Sequence, residues 1–281
     1  MMKSTRYSAR LLFAGALALF SNVVLADARD APGLTILVYH QIRTDDNGPA
    51  DSPTAISLER FERQMRYLHE QGYSTLKSDE VVEYVAGRAA FDGKKIIAIH
   101  MDDGWKSGLL ALPALDRYGF KASFWIISGT GIGPPHMDWE DVEALARNPR
   151  YEVMSHTLTH PWQDGETLVD WVNGRTPGRG MVQARWELSE SRRLLAERLH
   201  QPVMYLAWPG GFYDDVLIRL ATEAGYRALF TIDHGANRRG GDLQRIRRTM
   251  VHGGCNDEIF AQIVADGSYR SCPARIANGR N

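Results

Sequence analysis

Residues 94–104 read KKIIAIHMDDG, an apolar run that ends on two adjacent carboxylates and a glycine. A strand with one wet face alternates apolar and polar residues. A run that is apolar almost throughout belongs to a strand covered on both faces. Residues 122–127 (ASFWII) and 204–208 (MYLAW) repeat the pattern. Strands covered on both faces occur in parallel sheets, where helices return the chain across each face.

Working outward, seven stretches read as strands: 34–40, 73–76, 94–101, 121–127, 151–155, 203–208 and 228–232. Helical patterns lie between them, among them SLERFERQMRYLHEQG, DWEDVEALARNP, QARWELSESRRLLAERL and DDVLIRLATEAG. Several begin on Ser or Asp and stop at Gly, as helix caps require. About seven βα units imply a parallel sheet curling toward a barrel. An open doubly wound sheet would carry a Gly-rich phosphate turn after its first strand, and QIRTDDNGPADSP at 41–53 is not one. Residues 161–180, rich in Gly, Pro and Trp, read as one long loop.

Composition narrows the partners. Lys+Arg number 33 against 34 Asp+Glu, for a net charge of -1 over 281 residues. So even a balance selects neither nucleic acid nor an anionic membrane surface. Lys3, Arg6 and Arg10 precede the apolar stretch LLFAGALALF, and Val24-Leu25-Ala26 forms a small-x-small site. That layout predicts a signal peptide over 1–26, an exported mature domain over 27–281, and no membrane span in the mature chain. Cys255 and Cys272 are the only cysteines, and in an oxidising compartment they could pair.

In a parallel barrel the reactive groups gather at the C-terminal ends of the strands. Those ends hold Tyr39-His40, Asp102-Asp103-Gly104, the run SHTLTH from Ser155 to His160, and Trp208-Pro209-Gly210-Gly211. His156 and His160 are spaced to grip one ion, and two imidazoles with one carboxylate suit a catalytic Zn²⁺, with Co²⁺ or Ni²⁺ equally compatible. The other carboxylate then stands beside the reacting water as a base.

HMDDG followed by SHTLTH resembles the NodB-homology polysaccharide deacetylases of carbohydrate esterase family 4, over roughly residues 34–264. The resemblance implies a distorted (β/α)7-type barrel of the NodB-homology fold and removal of N-acetyl groups from an N-acetylated polysaccharide. It implies Asp103, His156 and His160 as metal ligands, Asp102 as general base and the Gly210 amide as oxyanion donor. The family's arginine-bearing third motif falls on Ala207-Trp208-Pro209-Gly210-Gly211, so the arginine that orients the base is Ala207 here and the motif's tyrosine is Gly210. LTILVYH at 34–40 and FTIDHGAN with RRTMV resemble the branch acting on exported poly-N-acetylglucosamine. An O-acetyl glycan esterase of the same fold and a glycan-binding protein with a decayed site are the alternatives. A histidine must protonate the leaving amine, with His40 the first candidate and His252 the second. Trp105, Trp162, Trp208 and Tyr213 flank the motifs and could stack on sugar rings. Arg175 and Arg179 could meet an anionic glycan, though solvated arginines are commoner. Protein partners are not legible.

Overall fold

Each apolar run becomes a strand, trimmed at its ends, in a computed structural model that describes residues 33–44 and 54–268. The expected signal segment lies outside the described residues, as does Cys272; Cys255 is buried. In chain order come β1 (Thr35–Tyr39), β2 (Ile42–Arg43), β3 (Ile56–Ser57), α1 (Leu58–Glu70), β4 (Tyr73–Leu76), α2 (Ser78–Val85) and β5 (Lys95–Met101). A 3-10 turn over Lys106–Ala111 leads into α3 (Leu112–Arg117), then β6 (Ala122–Ile126), α4 (Trp139–Arg147) and β7 (Tyr151–Ser155). The remainder is α5 (Leu168–Val172), α6 (Met181–Leu199), β8 (Tyr205–Ala207), α7 (Asp215–Glu223), β9 (Ala228–Phe230), β10 (Thr249–Met250) and α8 (Asp257–Asp266).

The main sheet runs β10-β1-β5-β6-β7-β8-β9, every pair parallel, with β4 sharing one edge of β5 with β6. It curls until residues 246–251 touch both of its margins. Thr231 N–H donates to Ile246 O at 2.8 Å, and Val251 N–H donates to Val38 O at 2.8 Å. The result is the expected distorted barrel, its ring drawn together by that single segment. β1, β6, β7 and β9 are buried along their whole length, which is why their sequences do not alternate.

The helices follow their caps and stripes. Phe61, Met65 and Leu68 put one face of α1 against the sheet, and Ser57 accepts the Arg60 amide at its start. Two sequence expectations change. The pattern GLLALPALDRYG at 108–119, whose spacing predicts one helix, divides between a 3-10 turn and α3 where Pro113, which has no amide proton, enters the first turn of the α-helix. Residues 161–180 are not wholly irregular, because Thr167 caps α5, its side chain and that of Asp170 each bonding the other's amide.

Candidate active site

Parallel register brings the strand ends together. Tyr39 lies beside Met101 and Val38 beside Met250, so continuing each ladder sets His40 level with Asp102 on one side and His252 on the other. Ser155 lies beside Leu206, which brings His156 level with Ala207. The His156 ring uses that neighbour: its Nδ1 lies 2.9 Å from Ala207 O. Donation from Nδ1–H to that carbonyl leaves Nε2 as the free lone pair, facing the mouth.

Asp103, His156 and His160 offer donor atoms that all lie within 4.8 Å of one another. Asp103 Oδ1 is 3.3 Å from His156 Nε2 and 3.4 Å from His160 Nε2, and the two nitrogens are 3.1 Å apart. That oxygen is buried without a hydrogen bond of normal geometry. Three donors on edges near 3.3 Å match bonds of about 2.0–2.2 Å to one tetrahedral cation, so the residues fit a divalent metal. Burial, reinforced by the charge of His156, carries His160 down to about 3, so its ring is neutral and able to ligate. Burial pushes the Asp103 carboxyl up, but His40, His156 and His160 outweigh it and hold it well below the usual range. Trp105 Nε1–H donates to Asp103 Oδ2 at 3.0 Å and fixes the carboxylate's rotation.

The backbone at these ligands is unusual. Asp103 (φ 69°), Thr157 (φ 66°) and His160 (φ 55°) are non-glycine residues in the left-handed region. Such conformations cost on the order of 1–3 kcal/mol each and persist only where the surroundings impose them. Around SHTLTH the imposing group is Glu187, a fully buried acid on α6. Its carboxylate accepts the Leu158 amide at 2.9 Å, the Thr159 amide, and the Thr159 hydroxyl at 3.0 Å. The inward stripe of α6 is Ala184, Glu187, Leu188, Ser191 and Leu195. An acid and a serine in the apolar phase of a helix was the signal that could have found it.

Asp102 is the second residue whose surroundings the motifs did not reveal. Arg248, from the segment that draws the ring together, donates Nη1–H to Asp102 Oδ1 at 2.8 Å and Nη2–H to Oδ2 at 2.9 Å. Its Nε–H donates to Thr231 O at 2.9 Å and its guanidinium lies over the Trp125 ring. Both partners are buried, at 0% and 3% exposure. Burial pushes the Asp102 carboxyl up, yet Arg248, then His156 and His40, hold it below its ordinary value. Arg248, the residue just before β10, thus places an arginine on Asp102 where position 207 is alanine.

The remaining expected residues divide. His40 Nδ1 is buried without a partner, whereas His252 Nδ1 accepts the Gly254 amide at 3.1 Å. Gly210 is exposed in a left-handed turn (φ 57°) after β8. Trp208 is not a sugar platform: it is fully buried, its ring stacked parallel to Tyr213. Trp105 carries His136 on its face at 4.2 Å between centroids, besides holding Asp103. Tyr213 donates its hydroxyl to Asp233 at 2.7 Å. Arg175 pairs with Asp170 at 3.3 Å, and Arg179 lies over Trp171.

Residues 90–229 match a family model described as polysaccharide deacetylase. Bacillus subtilis (strain 168) YxkH is 27% identical over 233 residues, which cover 82% of this chain and 76% of that protein. The solved structure of IcaB from Ammonifex degensii superposes with a TM-score of 0.69 at 25% identity, covering 83% of this chain and 96% of that one. The Streptococcus pyogenes deacetylase PplD, solved in complex with acetate, shares the fold at a TM-score of 0.70 and 20% identity, over 82% of this chain and 98% of its own.

Proposed function

We propose that this chain, which belongs to the polysaccharide deacetylase family, is a metal-dependent hydrolase that removes N-acetyl groups from an exported N-acetylglucosamine polysaccharide. The observation that carries the reading is the buried Asp103 oxygen between two imidazole nitrogens, with a second, arginine-held carboxylate on the adjacent residue.

Asp103, His156 and His160 would hold a divalent ion, Zn²⁺ or alternatively Co²⁺ or Ni²⁺. Such an ion polarises the acetyl carbonyl and acidifies water. The chain's own groups do the rest. Asp102, kept anionic by Arg248, takes the proton of the attacking water. The Gly210 amide donates to the oxygen that gains negative charge. His40, whose buried Nδ1 has no other partner, passes a proton to the departing amine; His252, with Nδ1 engaged, stands behind it. Arg248 also favours this reading over a decayed site, since it gives Asp102 an arginine partner although position 207 is alanine.

Within the described residues no helix is long and apolar enough to cross a membrane. The test is acetate release from a panel of poly-N-acetylglucosamine, chitin oligomers, peptidoglycan and O-acetylated xylan. Release from the N-acetylated substrates should stop on exhaustive chelation and return with Zn²⁺, Co²⁺ or Ni²⁺. Asp102→Asn should lower kcat/KM about 10²–10⁴-fold. Turnover of xylan alone would reassign the enzyme as an O-acetyl esterase.

A further inference from the structure

We propose that Trp162 and Phe212 form a stacking subsite for the pyranose ring next to the sugar that loses its acetyl group. The inference rests on the deacetylase reading above and extends it to the placement of the glycan chain.

Large apolar side chains left in water need a reason when they gather beside a reactive centre. Trp162 is 53% exposed and Phe212 48% exposed. They come from different segments, one just after SHTLTH and the other in the turn after β8, and they converge on Gly210. A Cβ placed on Gly210 would lie 2.9 Å from two carbons of the Phe212 ring and 3.4 Å from Trp162 Cβ. Glycine at 210, with its left-handed φ, is what lets both residues close on this turn. The resembled family has a tyrosine at 210; here the aromatic surface is supplied from 162 and 212 instead.

The place is next to the reacting groups. The Trp162 ring centroid lies 6.4 Å from that of His160, and Phe212 closes the turn that holds Gly210, the proposed oxyanion donor. An aromatic face this close to the acetyl site meets the neighbouring ring of the same glycan. The chemistry favours a pyranose without anionic groups, since apolar C–H faces pack on aromatic rings and the two arginines of this loop are engaged with Asp170 and Trp171. Among the described residues the other three exposed large apolar groups, Met181, Val182 and Trp186, all stand on α6 and do not share this turn.

Binding of glucosamine oligosaccharides of one to five rings, which carry no acetyl group to lose, can be measured by calorimetry on the full-length wild-type protein. Affinity should rise from one ring to two or more. Trp162→Ala and Phe212→Ala should each weaken binding of the longer oligomers about tenfold and flatten the dependence on length, and Trp162→Phe and Phe212→Tyr should restore most of it. Circular dichroism and thermal unfolding identify any variant that fails to fold, in which case the conservative pair decides. Affinity independent of length in the wild type, or length dependence unchanged in the double alanine variant, overturns the subsite. Acetate release from the N-acetylated pentamer is scored separately. Length-dependent binding without any acetate release would overturn the deacetylase reading and leave the subsite standing.

Discussion

Two buried carboxylates stand on one face of this sheet and titrate in opposite directions. Asp102 lies just beyond β5, at the mouth. Glu152 lies near the start of β7, level with Ser123 on β6, which in turn is level with His100 on β5. Burial pushes both carboxyls up. At Asp102 the bidentate Arg248 and the nearby imidazoles win, and the acid stays ionised. At Glu152 the neighbours are the Ser78 amide at 2.9 Å and the Ser123 hydroxyl at 3.0 Å, with Asp79 adding repulsion, and the carboxyl rises to about 7. Neutral donors satisfy hydrogen-bonding capacity but do not offset desolvation of a charge. The lesson is that a buried acid becomes a dependable base only where the fold also buries a cation beside it.

The sharpest way to break this contrast is to take the cation away. Arg248→Ala leaves Asp102 buried without a counter-charge, and unfolding by urea should show a loss of about 3–5 kcal/mol. With the cation gone Asp102 binds protons more readily, so the acid limb of the kcat/KM profile should move to higher pH. Arg248→Lys keeps the charge but not the two-pronged geometry. It should recover much of the stability while kcat stays at least tenfold down. If both variants kept wild-type rates and an unmoved acid limb, Arg248 would not be what holds the base.

The converse test is at Glu152. Its native pKa, about 7, lies above the value for an exposed carboxyl, so between about pH 4 and 7 the folded state holds more protons than the unfolded state. Stability from this group is therefore present at low pH and is lost as pH rises through about 7. Glu152→Gln keeps an acceptor for Ser78 and Ser123 but cannot ionise. Its stability relative to wild type should improve by roughly 3 kcal/mol from pH 4 to pH 8. The rate should stay within twofold, since no reacting group touches Glu152. A stability difference flat with pH would put Glu152 in the same class as Asp102.

How much of this was legible in the sequence follows from how local each determinant is. The strands were legible because burial on both faces writes itself into consecutive residues, as in IIAIHM and ASFWII. Asp102, Asp103, His156 and His160 were legible because two short motifs, at the ends of β5 and β7, carry them. Arg248 was not, being 146 residues from Asp102 and joined to it only when residues 246–251 draw the ring together. The role of Trp208 was misread for a related reason: a tryptophan at a strand end can face the mouth or the core, and only its packing on Tyr213 decides which. The aromatic surface at Gly210 depends likewise on two turns meeting in space.

Glu187 lies between the two cases and gives the finest test. Like Glu152 it is buried without a cation, and burial raises its carboxyl despite the Thr159 and Leu158 donors. Like Arg248 it serves the mouth, since its bonds fix the loop on which Thr157 and His160 hold left-handed backbones. Hydrogen-bond acceptance, not charge, is what the loop needs. Glu187→Gln can still accept both amides through its oxygen while its NH₂ donates to the Thr159 hydroxyl. It should hold stability within about 1 kcal/mol and metal affinity within about threefold. Glu187→Ala leaves two buried amides unpaired, which costs about 1–3 kcal/mol for each group stranded. With the strain of Thr157 and His160 no longer opposed, the loop relaxes and the two imidazoles separate, so affinity for Zn²⁺ should fall about 10–100-fold in competition titration. If Gln and Ala lost affinity equally, the negative charge of Glu187 would matter after all, and the mouth would depend on a third anion as well as a buried cation.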